Sequence, residues 1–168
     1  MDEFVLVGAA CAAFGGAYLV FRNVRSRWFR ARGRRVERRS IESLRLPRGW
    51  TVEANVPVPG LGDCDCLITT PKSRRFAVEL KSSESAKKVW FRLFTKDEIR
   101  RGDGAKFPRN FVVQALAVAS RLDAEPILWM PLARRRSSFR TASGVLVVQG
   151  GRKALEKAIG ARLGFLWF

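Results

Sequence analysis

The residues with most chemistry to offer lie in one stretch, GDCDCLITTPKSRRFAVELKS, residues 62–82. On an extended strand, alternate side chains share a face. Ala77, Glu79 and Lys81 then point one way, and Phe76, Val78 and Leu80 point the other way into a core. A carboxylate and an amine set into an apolar strand are costly to bury without a purpose. On the preceding strand Asp63 and Asp65 share a face opposite Cys64 and Cys66, and a hairpin around Pro71-Lys72-Ser73-Arg74 brings Asp65 beside Glu79. Two close carboxylates repel, and a divalent cation relieves that repulsion. Oxygen ligands suit Mg2+ or Mn2+. Such an ion polarises a phosphoryl oxygen and acidifies water. Lys81 would orient or help deprotonate that water and offset charge in a phosphorane-like transition state. Together these groups make a recipe for phosphodiester hydrolysis.

Positioning them takes a folded scaffold. Residues 34–46 place Val36, Ile41, Leu44 and Leu46 at mixed helical spacing, predicting a helix that ends at Pro47-Arg48-Gly49. Strands are predicted over 50–58, 63–70 and 75–82, with a turn at Pro59-Gly60-Leu61-Gly62. Residues 83–110 form a polar, basic excursion. Phe111 to Leu122 reads as a buried helix, 126–132 and 144–149 as strands, and 151–163 as a closing helix. This order predicts an α/β or α+β architecture with a central sheet flanked by helices.

Composition narrows the chemistry. The chain of 168 residues has no histidine. That excludes Ser-His-Asp triads, Cys-His pairs, HExxH zinc sites and histidine bases, leaving carboxylates, lysine and metal. Only Cys11, Cys64 and Cys66 are present, too few for a secreted disulfide framework, so a reducing compartment fits. With 32 basic and 15 acidic residues the net charge is +17, more than solubility needs and a signature of a polyanionic partner. Nucleic acid and an anionic membrane both qualify.

Phe4 to Phe21 is a charge-free run of 18 residues, at the short end of a membrane span. Asp2 and Glu3 precede it, where a cleavable signal peptide would be positive. From Arg22 to Arg39 follow nine arginines and one acid, Glu37. The positive-inside rule keeps this collar in the cytoplasm, and each basic residue near an anionic leaflet contributes about 1 kcal/mol. The expected organisation is a transmembrane helix over 1–22, a basic juxtamembrane linker over 23–39 and a catalytic domain over 40–168. That makes a single-pass protein of the inner (cytoplasmic) membrane with its catalytic domain in the cytoplasm.

The constellation resembles the PD-(D/E)XK superfamily, and within it the nuclease-related domain type. The residues that carry the likeness are Gly62-Asp63-Cys64-Asp65 and Val78-Glu79-Leu80-Lys81, with Glu42 on the upstream helix and Gln114 on the downstream helix. The resemblance covers about residues 34–163. It implies a restriction-endonuclease-like central mixed sheet flanked by helices. It also implies Mg2+-dependent (or Mn2+-dependent) cleavage of nucleic acid by Asp65, Glu79, Lys81, Glu42 and Gln114, with the metal held by Asp65, Glu79 and Glu42. The flanking cysteines and the basic excursion after Lys81 depart from the usual pattern. Plainer roles exist beside these: Glu42 as a solvated partner of Arg38, Arg39 or Arg45, Asp63 as a turn cap, Glu79 and Lys81 as an exposed ion pair, and both cysteines as core residues.

Lys87, Lys88, Arg92, Lys96, Arg100, Arg101, Lys106 and Arg109 surround Trp90, Phe91 and Phe94, and Arg134, Arg135 and Arg136 form a second cluster with Arg140. Cations among aromatics suit a phosphate backbone with base stacking. Phosphate contacts position a duplex without reading its sequence, so little sequence specificity is expected. DNA is the expected partner, with the membrane as second. A homo-oligomer or a membrane complex stays open, as does a non-catalytic binding or structural module on the same fold.

Overall fold

The computed structural model describes residues 21, 24, 31–82, 91–93, 97–101, 110–133 and 135–162. The chain divides into two units, Met1–Arg35 and Val36–Phe168. Residues 1–20, nearly all of the predicted membrane run, lie outside the described set. Among the described residues no helix is long and apolar enough to cross a membrane.

Helix α1 is described over 31–42, and the second unit therefore starts inside the stretch expected to be linker. The helix ends before the predicted 46. The Ser43 hydroxyl donates to the Ser40 carbonyl, and the Leu44 amide closes a tighter turn onto Ile41. Such local bonding competes with the helical ladder. Leu44 and Leu46 then turn into the core as loop residues.

Three strands follow: β1 (Thr51–Val58), β2 (Gly62–Thr69) and β3 (Arg75–Leu80). β1 and β2 are antiparallel, as are β2 and β3. In the excursion, β4 (Phe91–Leu93) and β5 (Ile99–Arg101) form a separate two-stranded sheet. Helix α2 (Phe111–Arg121) leads back to β6 (Glu125–Met130), which lies parallel to β3. β7 (Ser137–Arg140) pairs antiparallel with β8 (Leu146–Gln149), which is parallel to β6, and α3 (Arg152–Arg162) closes the described chain. The main sheet has the order β1-β2-β3-β6-β8-β7. β7 was not expected: its SSFR sequence carries one apolar residue, Phe139, which suffices at an edge packed on one side.

The sheet is covered on both faces. Phe76, Val78 and Leu80 of β3 join Ile127 and Trp129 of β6 beneath Leu155 and Ile159 of α3. On the other face Ala77 meets Val118 and Ala119 of α2, while Leu128 and Met130 meet Val112 and Ala115. The small side chains of α2 let it approach β3 closely, and Glu79 lies beneath it. Ile99 packs in the same cluster and ties β5 to this face. The Asp97 carboxylate, accepting from the amide and hydroxyl of Ser143, ties it to the β7–β8 turn.

Candidate active site

Glu79 occupies the middle of the sheet, opposite Leu128 of β6, and is only 1% exposed. Its Oε2 accepts from Lys81 Nζ at 3.1 Å and from Gln114 Nε2 at 3.1 Å. Its Oε1 is buried with no hydrogen-bond partner. Burial pushes its carboxyl above the ordinary range; Lys81 opposes this, while Asp65 and Glu37 add to it. Lys81 follows the end of β3, and its amide still donates to the Trp129 carbonyl. Its ammonium lies between Glu79 and the face of Phe111, 5.3 Å from the ring centroid.

Gln114 is set by the start of α2. Asn110 caps that helix, its side-chain oxygen accepting from the amides of Val112 and Val113. This is the ordinary service of an N-cap asparagine. Gln114 then sits beside Ala115, facing β3, and can reach Glu79.

Asp65 reaches the same cluster from β2. Its Oδ2 accepts from the Leu80 amide at 2.7 Å. Burial raises its carboxyl above the usual range, against the pull of the Leu80 amide and Lys81. The expected alternation of β2 does not hold here. Cys64 packs with Ala77, Val118 and Ala119, whereas Cys66 packs with Phe76 and Val78 on the opposite face. Side chains two apart in a regular strand share a face, so the strand must turn at Asp65. Asp63 is exposed, and its charge adds to the upward push on the Asp65 carboxyl. Burial pushes the Cys64 thiol up to about 11 and that of Cys66 to about 12. Both are therefore neutral core residues.

The structure does not bring Glu42 to this cluster. Glu42 pairs with Arg38 at 2.7 Å on an exposed face. Glu37, five residues earlier, is the helix acid whose charge adds to the upward push on Glu79, and Ser82 donates to it at 3.3 Å. At 100° per residue the two glutamates are about 140° apart around the helix, so only one of them can face β3. Ile41, four residues after Glu37, packs against the core and fixes this phase.

The predicted basic residues are only partly described. Lys87, Lys88, Lys96, Lys106, Arg109 and Arg134 lie outside the described residues. Arg92 and Arg101 stand on β4 and β5. Arg100 pairs with Glu98 at 2.8 Å, and its side chain is largely buried. Arg135 and Arg136 are exposed in the segment after β6. β3 and β6 are parallel, so that segment leaves the same edge of the sheet as Lys81.

Among the described residues no three acid, histidine or cysteine side chains converge as a ready metal site. Two carboxylates with an orphaned oxygen between helix and sheet nonetheless suit Mg2+, which keeps several waters and binds through one or two carboxylates and substrate phosphate. No protein-family model, no curated protein and no solved structure matches the chain.

Proposed function

We propose that this protein is a Mg2+-dependent (or Mn2+-dependent) nuclease of the restriction-endonuclease-like type, hydrolysing DNA with little sequence preference. One observation carries the reading: Asp65, Glu79, Lys81 and Gln114, from three different elements, interact over the inner strands of the sheet around a buried carboxylate oxygen that no described residue satisfies. Structural ion pairs are normally satisfied; an unpaired buried acceptor costs about 1–3 kcal/mol and calls for an explanation. The order helix, three antiparallel strands, a small β4–β5 hairpin, helix and a strand parallel to β3 supports the same reading.

Asp65 and Glu79 would hold the ion. Once bound, it would polarise a phosphoryl oxygen and acidify water. Gln114 and Lys81 both donate to Oε2 of Glu79, which leaves Oε1 available to the ion. Lys81, backed by the Phe111 ring, presents a cation where charge develops on the phosphate. Arg135 and Arg136 would meet the nucleic-acid backbone nearby. The run over residues 4–21 and the arginine collar would tether the domain to the cytoplasmic face of the inner membrane.

Supercoiled plasmid incubated with the full chain and Mg2+ should be nicked, and EDTA should stop the reaction. DNA binding that is salt-sensitive but never followed by cleavage would replace this reading with a non-catalytic binding module.

The two helix glutamates give a second test. Glu37→Gln removes a like charge that helps hold the Glu79 carboxyl up, so the acid limb of the pH–rate profile should move to lower pH. Glu42→Gln should leave that limb in place, as expected for an exposed i,i+4 ion pair. A reversed order of effects would show that α1 presents its other side to the site.

A further inference from the structure

Asn55 has a φ of 53°, in the middle of β1. Left-handed backbone is uncommon in strands, and asparagine is among the few residues that adopt it readily. Its place in the register gives it meaning. The β1–β2 ladder runs through Ala54↔Cys66 and Val56↔Cys64, with Asn55 and Asp65 between these two pairs. Cys64 and Cys66 face opposite sides of the sheet, so the reversal of side-chain direction falls at this step. Val56 packs on the same face as Cys64, so β1 reverses with β2. The β2–β3 ladder also ends at this level, at Cys66↔Val78. Beyond it the Leu80 amide takes the Asp65 carboxylate as its acceptor.

We propose that Asn55 is the positioning residue of the site: its left-handed backbone kinks β1, the kink passes through the paired strand, and β2 turns at Asp65 so that the carboxylate reaches β3. A regular β1 would hold β2 in regular alternation. Asp65 would then stand across from Glu79 with its side chain normal to the sheet, unable to reach the Leu80 amide. Strained backbone and interrupted ladders recur beside functional side chains because they re-aim them. Asn55 itself is exposed and forms no side-chain hydrogen bond with Asp65, Glu79, Lys81 or Gln114. Its effect is therefore carried by the backbone alone. The inference builds on the reading of Asp65 as a metal-holding residue.

The full chain, kept in mild detergent, allows a direct test by amide NMR. The Leu80 proton, bonded to a carboxylate, should lie far downfield and exchange slowly; Asp65→Ala supplies the reference for its loss. Asn55→Gly, which accepts left-handed backbone freely, should keep the signature and bind Mn2+ as the wild type does. Asn55→Val, whose branched side chain resists that backbone, should lose the signature and bind Mn2+ at least tenfold more weakly, while the Ile127 and Val148 amides in the centre of the sheet stay unchanged. Should Asn55→Val fail to fold, Asn55→Ala against Asn55→Gly makes the same comparison. An unchanged Leu80 signature in a folded Asn55→Val or Asn55→Ala protein overturns the proposal. The signature needs no cleavage, so a wild-type protein that neither binds Mn2+ nor cuts DNA, yet loses the signature with Asn55, would sink the nuclease reading and leave the role of Asn55 standing.

Discussion

Glu79→Gln should yield a protein that cuts DNA on the order of 10²–10³ times more slowly and yet resists heat better than the wild type at pH 8. The first effect follows from removing a metal-holding charge. Electrostatic stabilisation of a phosphoryl transition state is worth several kcal/mol, and each 1.4 kcal/mol is about tenfold in rate. The second follows from burial. Glu79 is 1% exposed, one of its oxygens has no partner, and desolvation raises its carboxyl despite the pull of Lys81. The ionised form is therefore held in the fold at a cost, which a neutral side chain of the same shape avoids. A gain of about 1 kcal/mol would raise Tm by about 2–4 °C in a domain of this size. Near pH 4 wild-type Glu79 is itself protonated, and the two proteins should melt together. Thermal scans at both pH values alongside plasmid nicking would check this. A variant that loses stability at pH 8 would mean that the ion pair with Lys81 outweighs desolvation, which makes Glu79 a structural residue. Lys81→Ala gives the complementary case. It should also cut slowly, but it should lose stability at pH 8, because the buried carboxylate then lacks the ammonium paired with it.

How far the sequence could reach is clear from where its logic held. Strand alternation found the faces of β3, because Phe76, Val78 and Leu80 meet one layer and Ala77 and Glu79 meet the other. It also found α2 and β6, whose sequences FVVQALAVASR and EPILWM are mostly apolar. It failed on β2 because alternation assumes a regular strand, and nothing in DCDC announces a turn at Asp65. The asparagine of β1 was the only hint, and an isolated asparagine in a strand pattern is usually a surface residue. It failed on α1 because arginines on every side hide the helical phase, so Glu37 and Glu42 look equivalent until Ile41 is seen against the core. β7 escaped because an edge strand needs only one apolar contact. Gln114 was legible only by resemblance: no periodicity distinguishes a glutamine that orients a carboxylate from one satisfied by solvent.

The metal should appear as a pH-dependent stabiliser before any cleavage is measured. Burial raises both Asp65 and Glu79 above their ordinary values. Between the unfolded and folded values of such a group, the folded chain binds more protons than the unfolded chain, so stability falls as pH rises. The contribution of these two groups is therefore greatest below their ordinary values, which lie near pH 4, and is lost as pH climbs through their folded values. A divalent ion acts on the same charges in the opposite sense. At pH 8 both carboxylates are free to bind it, and an ion at ten times its dissociation constant stabilises the fold by about 1.4 kcal/mol. At pH 5 protons compete for the same oxygens, so the same concentration should do much less. Tm measured against Mg2+ or Mn2+ at the two pH values should show this difference. It should vanish in Asp65→Asn and in Glu79→Gln, each of which removes one of the two ligand charges. Equal stabilisation at both pH values, or stabilisation that survives in both variants, would place the ion elsewhere on the protein and leave the Asp65–Glu79 pair without a cation to justify its burial.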